Sequence, residues 1–485
     1  MQKKNLFRIA GVAALMAASF SIISAQDRVP VRWFVGLGAG TDAGTIEAQQ
    51  AIADEFNASQ DAIELTLEIV PNAQAYDVLN TQIAAGNGPD LVGPMGIRGR
   101  ASFPGAWLDL APLIESTGYD LTDFDPALVE FYKVEGAGQL GLPFAVFPYF
   151  MMYNKDLFDE ADLPYPPANY GDAYIDADGV EHEWTIETVT ELARILTVDA
   201  NGNDATMEGF DPTQIVQWGF GASHADLRGR DTLFGAGNFV NAEGKAQIPE
   251  QWRYAENWYK DAMYGPQAFY PSGAYAGCDL LAGGNWFGSG NVAMNIIHQW
   301  YMGWGTADLD AAWDLAPIPS YNGVTTAKLH ADTFGVMSTT EHPEETFAVM
   351  TYLLGEKAEA LSTVYGGMPA RLSLQGSFYD RFQESLSTQY PDTNFDVNWD
   401  VAMAALSYPD NPNHEEGMPN FLESLDRYAQ YAQVVDNNAD ADVNAELDLL
   451  EADLQAIFDT DPDVFAAARE AEAAAAEAAE ATAAP

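Results

Sequence analysis

Between residues 31 and 93 the apolar pattern keeps changing period. "VRWFVGL" (31–37) is a strand-like run, and 45–56 then carries apolar residues at helical spacing, with Ile46, Ile52, Ala53 and Phe56 on one face. "IELTLEIV" (63–70) alternates at period two, "AYDVLNTQIAAG" is a helix closed by Gly86, and "PDLVG" starts a further strand. A strand–helix–strand–helix–strand succession buries its apolar faces when helices cover a mainly parallel sheet, so the chain should open with an α/β lobe.

The alternation continues. "TIETVTELARIL" (185–196) is an amphipathic helix and "NVAMNII" is strand-like. "HPEETFAVMTYLLG" (342–355) reads as a helix with Pro343 at its start and Gly355 after its end. Asp178-Gly179 and Asn201-Gly202 mark turns in polar inserts, and the Ala/Glu-rich tail (466–485) has no core-forming face. A chain of 485 residues exceeds what one core usually serves, so two domains are expected. Cys278 is the only cysteine, which excludes an internal disulfide.

Lys3, Lys4 and Arg8 precede an almost uncharged apolar stretch, Ile9 to Ile23, and the small pair Ser24-Ala25. This pattern predicts a secretory signal peptide over 1–25, too short for a membrane span. The mature protein is therefore expected outside the cytoplasmic membrane, periplasmic or cell-surface associated, with no cysteine for an N-terminal lipid anchor. The net charge is −51, and loss of the leader's three basic residues takes it to −54. Such a field repels nucleic acid and anionic lipid.

Gly36, Gly38 and Gly40 end the first strand, and Gly38 to Ala43 fit the loose dinucleotide pattern G-x-G-x-x-A. The context argues against a nucleotide. An exported protein meets little of such cofactors, and Asp42 would face a pyrophosphate. A structural turn, or glycines that let a ligand approach the sheet's carboxyl edge, suit the loop better.

Five stretches, in order, carry a resemblance. They are "TQIAAGNGPDLVG" (81–93), "GLPFAVFPYFMMYNKDLFDEADLPYPP" (141–167), "FGSGNVAMNIIHQW" (287–300), "WDLAPIPSYNG" (313–323) and "YGGMPARLSL" (365–374). The chain from about 31 to 430 resembles the sugar-binding family 1 of extracellular solute-binding proteins of ABC importers, the maltose-binding-protein type. Asp162 departs from the family's Ala-Gly-Leu, and a polar insert (168–183) stands before Trp184, where it could reshape a rim of the cleft. The resemblance implies a two-lobed, type II periplasmic-binding-protein-like α/β fold with a ligand cleft between lobes joined by multiple crossings. Crossings are expected near 150–155, 313–317 and 338–343. The first lobe would be 27–152 plus 314–341 and the second 153–313 plus 342–465. It also implies a monomer that closes on a sugar or oligosaccharide and docks on ABC permease subunits, with neither catalysis nor cofactor.

A sugar offers apolar C–H faces to aromatic rings and hydroxyls to planar polar groups. By the family motif Trp300 is the stacking ring, with His298 and Gln299 beside it; "KLHADTF" adds His330, Asp332 and Thr333. Arg98 and Arg371 are candidate hydroxyl partners, as are Tyr149, Tyr153, Asp42 and Thr41, and Trp399 is a second candidate stacking ring. Each has a plain structural alternative: an interior aromatic, a capped turn or a surface ion pair. Metal sites look poor. "DANGND" (199–204) starts like a calcium loop, but Asp204 stands where glycine is needed, so an Asn-Gly turn is expected.

Two rival functions remain. A secreted glycoside hydrolase would need two carboxyl groups facing the same cleft. A cationic solute such as a polyamine would suit the negative field.

Overall fold

The structure, a computed structural model, describes residues 28–38, 40–41, 43–134, 136–222, 229–411, 417–462 and 464–465. The expected leader (1–25), Asp42 and the tail (466–485) lie outside the described residues. β1 (Val29–Val35), α1 (Ala43–Ser59), β2 (Ile63–Ile69), α2 (Asn72–Ala84) and β3 (Leu91–Met95) follow the expected succession, with β1 paired in parallel to both β2 and β3. Ile52, Ala53 and Phe56 of α1 pack onto this sheet, whereas Ile46 is 40% exposed because the helix's first turn stands clear of it. α3 (Ile97–Ala101) leaves β3 directly, and every residue of β4 (Leu142–Phe147) is buried.

Pro148 alone separates β4 from β5 (Tyr149–Asn154), and these two strands belong to different sheets. The chain therefore crosses between lobes at Pro148, ahead of the expected 150–155. "FAVFPYFMMYN" is apolar throughout, and only the proline, which cannot donate to a ladder, marks the break.

The second lobe is built by α4 (Ile186–Ile195), β6 (Val198–Asp199), β7 (Ile215–Gly221), α5 (Glu250–Tyr264), β8 (Val292–His298) and β9 (Trp313–Ala316). Its sheet order is β6-β7-β8-β5-β9. β9 pairs with β5, so the return crossing comes after Ala316, and residues 314–316 belong with the second sheet rather than the first. β10 (His330–Val336) then inserts antiparallel between β3 and β4.

α6 (Pro343–Leu354) and α7 (Ala358–Tyr365) cover the first sheet through Phe347, Met350, Leu353 and Leu361. β11 (Met368–Pro369) completes that sheet in the order β11-β4-β10-β3-β1-β2. The chain thus stays with the first lobe until β11, well past the expected crossing near 338–343. Helical periodicity announces the helix but not the sheet it will cover. α8 (Phe378–Gln389) returns to the aromatic core beside β5 and β8. α9 (Phe421–Asn437) and α10 (Val443–Phe458) pack on α5. Both sheets are mixed rather than mainly parallel.

Asp162, where the family motif has glycine, keeps φ at +54°, a left-handed position that a short acidic side chain tolerates. The 199–204 segment is a turn. Burial would push the Asp199 carboxyl up, but the backbone N–H groups of Asn201, Asn203 and Asp211 donate to it and hold it well below the usual range. The polar insert forms a small hairpin, Tyr174–Ile175 against Glu181–His182, and none of its residues lines the interlobe cleft.

Candidate functional site

A cleft of about 840 Å3 opens where the two sheets meet, a volume suited to a small ligand. The first lobe contributes the loop after β1 (Leu37, Gly38, Gly40, Thr41), Asn72 and Tyr76 of α2, and Arg98 and Gly99 of α3. It adds Phe147, His330, Asp332 and Tyr365. β1 and β3 run parallel, so these loops sit at carboxyl ends of strands, the crevice where such sheets usually receive ligands. The second lobe supplies Trp300, Met302 and Trp304 after β8, Phe382, Ser385, Leu386 and Gln389 from α8, and Tyr390 just after it. Both lobes contribute aromatic rings, Tyr76, Phe147 and Tyr365 from the first and Trp300, Trp304, Phe382 and Tyr390 from the second, while Arg98 and Asp332 both come from the first.

The floor of the cleft lies on the crossing. His298 ends β8 in the second sheet and His330 begins β10 in the first, and their rings meet edge to face 4.4 Å apart. Trp300 packs over both, 4.2 Å from His298 and 5.1 Å from His330, with Phe147 at 5.9 Å. His298 Nδ1 lies 3.2 Å from the Phe147 carbonyl oxygen, which can only accept, so the proton sits on Nδ1. Trp304 is 49% exposed and donates its indole N–H to the Trp300 carbonyl at 2.9 Å. The Arg98 guanidinium lies 5.3 Å over the Tyr76 ring.

The glycine loop is a close-approach device. Gly40 has φ +103°, and a Cβ there would come within 2.5 Å of Tyr365. Gln49, fully buried, donates to the Gly40 carbonyl at 2.7 Å and receives the Tyr365 hydroxyl.

Of the candidates named from sequence, Trp300, His330, Asp332, Arg98 and Thr41 line the cleft. The others described do not. His298 is fully buried beneath Trp300, and Gln299 is held by the Gly366 carbonyl and the Tyr379 hydroxyl. Thr333 donates to the Leu142 carbonyl inside the first sheet. Tyr149 and Tyr153 are buried in the second-lobe core. Arg371 pairs with Asp123 at 3.2 Å and donates to the Tyr119 hydroxyl at 2.8 Å, away from the cleft. Trp399 stacks on Tyr379 and donates to Gln383.

Sequence reasoning missed Trp304, Tyr390, Phe382, Tyr76 and Asn72. Trp304 ends "IIHQWYMGW" (296–304), four residues after Trp300, where a signal was present. α8 had none, because nothing in its own spacing says that its face turns toward a cleft.

The family model described as bacterial extracellular solute-binding protein matches residues 42–360. A protein of Brucella abortus (strain 2308), named as a binding protein, is 31% identical over an alignment of 170 residues that covers 30% of this chain. The match spans only 40% of that relative's length. Among solved structures, the ABC substrate-binding protein of Listeria monocytogenes in complex with cycloalternan is similar at TM-score 0.65 and 19% identity, covering 88% of this chain and 98% of that one. The cyclic α-maltosyl-1,6-maltose binding protein of Arthrobacter globiformis is similar at 0.62 and 18%, covering 89% and 99%. UgpB of Mycobacterium tuberculosis, in complex with glycerophosphocholine, is similar at 0.64 and 15%, covering 89% and 98%. Among the described residues no helix is long and apolar enough to cross a membrane. With the two-lobed fold, the interlobe cleft and the family match over most of its length, this chain belongs to the bacterial extracellular solute-binding proteins.

Proposed function

We infer that this protein captures a neutral sugar or short oligosaccharide outside the cytoplasmic membrane and delivers it to an ABC permease. One observation carries the reading. On a chain of net charge −51, the described cleft lining holds a single carboxylate, Asp332, and a single guanidinium, Arg98, facing an aromatic wall that includes Trp300, Trp304 and Tyr390. Flat rings suit the C–H faces of a pyranose, while Asn72, Thr41, Asp332 and Arg98 suit its hydroxyls. The maltose derivative named for the Arthrobacter protein is cargo of the same chemistry.

A polyamine would call for several carboxylates turned inward, and a glycoside hydrolase for two at catalytic separation. The described lining supports neither, and the acidic surplus lies elsewhere on the surface. The phosphodiester of the UgpB complex would want more cationic donors than Arg98.

Mass spectrometry of small molecules released from freshly purified protein tests the inference, followed by calorimetry with the sugar found. An intact saccharide that binds equally at low and high salt is expected. A released polyamine, a strongly salt-dependent affinity, or cleavage of the sugar would each overturn it.

A further inference from the structure

The two lobes also touch away from the crossings. α3 grows out of β3, an interior strand of the first sheet, and its Arg98 and Gly99 line the cleft. The helix is fastened to its own lobe. The Arg100 guanidinium lies 5.6 Å over the rings of both Phe131 and Tyr132, and the Arg100 carbonyl accepts the Trp107 indole N–H at 2.7 Å.

Ile97 turns toward the other lobe. It is 8% exposed and belongs to an apolar cluster whose other buried members, including Phe239, Trp252, Met418, Phe421 and Tyr428, come from the second lobe, with Phe131 of the first lobe packed at its edge. Ala101, one turn on and on the same helical face, packs against the same cluster.

α9, which carries Phe421 and Tyr428, is anchored just as firmly. Arg230, 2% exposed, donates to Glu256 of α5 at 2.8 Å and to both oxygens of Asp436 on α9 at 3.1 Å. The Tyr431 hydroxyl donates to the same Glu256 at 2.9 Å. Sliding α9 over α5 would part a buried ion cluster, which is costly. A contact between two such fixed elements exists only at this lobe separation, and opening the cleft would return the Ile97 side chain to water.

We propose that Ile97, seated against α9, is a clasp that holds the cleft shut from outside and acts on the ligand as a positioning residue, by placing Arg98. The proposal rests on the cleft being the ligand site. A clasp of this kind raises the closed population before any ligand arrives, so apparent affinity rises with it.

The test compares wild type with Ile97→Ser, Ala101→Glu and the conservative Ile97→Val by small-angle scattering of the unliganded protein, with thermal unfolding as the folding control. Ile97→Ser and Ala101→Glu should enlarge the radius of gyration, and Ile97→Val should match wild type. For whichever of maltose, cellobiose and mannobiose the wild type binds, the two opening variants should lose about three- to tenfold in affinity. Should Ile97→Ser fail to fold, Ala101→Glu carries the comparison. A radius of gyration equal to wild type in the folded opening variants would overturn the clasp. Failure of all three sugars to bind wild type, together with release of a non-saccharide from the purified protein, would overturn the sugar reading, while the scattering would still decide on the clasp.

Discussion

The imidazole of His298 lies nearly parallel beneath the indole of Trp300, with centroids 4.2 Å apart and planes 20° apart. The indole is partly exposed to the cleft and the imidazole is fully buried, so one ring is the platform and the other its foundation. Trp300→Ala removes only the platform. Thermal unfolding should stay close to wild type while sugar affinity falls by about 2 kcal/mol, roughly 30-fold, as for anchoring aromatics. Calorimetry showing an unchanged Kd would remove Trp300 from the site.

His298→Ala should act on both quantities. It leaves a cavity under Trp300 and strips the Phe147 carbonyl of its donor, costing about 2 kcal/mol of stability and loosening the indole. His298→Phe restores a ring but not the N–H, so it should recover affinity more fully than stability. Equal recovery of the two would mean that the stack does not matter to binding.

Trp304 extends the platform. Its N–H is taken by the Trp300 carbonyl and half its surface is open, so little core packing depends on it. Trp304→Ala should leave chemical denaturation nearly unchanged and weaken binding by about 1–2 kcal/mol. Full affinity in this variant would confine the stacking surface to Trp300.

Trp300 was legible from the family motif, and His330, Asp332 and Arg98 as polar residues placed where an apolar run begins or ends; all four line the cleft. Direction was harder to read. Asp332 and Thr333 are neighbours on one strand, with a register shift against β4 between them, and one lines the cleft while the other is buried in the sheet. Tyr149 and Tyr153 belong to a strand buried along its whole length, which offers no alternation to orient them. Arg371 was a candidate hydroxyl partner, and with 21 basic against 72 acidic residues an ion pair was always open to it; Asp123 holds it. The first α/β succession was plain from periodicity. The allegiance of α6 and α7 was not, because an amphipathic face fits either sheet equally well.

The glycine loop gives a test with its own control. At Gly40 an added Cβ meets Tyr365 and requires φ of +103°, whereas Gly86, at φ +67°, faces open space. Gly86→Ala should cost about 1 kcal/mol from backbone strain alone. Gly40→Ala should cost about 2–3 kcal/mol and also weaken sugar binding, because Tyr365 lines the cleft. Denaturant midpoints that rank the two variants equally would show that the close approach at Gly40 is unimportant.

The Arg230 cluster makes stability depend on pH in an uncommon direction. Burial, reinforced by the negative charge of Glu256, holds the Asp231 carboxyl well above the usual range, and Arg230 only partly offsets this. A folded value raised above the unfolded value of about 3.9 means that the stabilising contribution is complete below that pH. It is lost as pH climbs toward the folded value, because the unfolded chain gives up its proton first. Asp231 therefore opposes folding near neutrality. Asp231→Asn has no proton to lose, and its carboxamide oxygen can still accept from the Tyr428 hydroxyl, now 2.8 Å from Asp231. The variant should be more stable than wild type at about pH 8, with the gain shrinking toward about pH 4.5. Denaturation curves in which the gain is as large in acid, or absent at the higher pH, would mean that Asp231 is ionised in the folded protein.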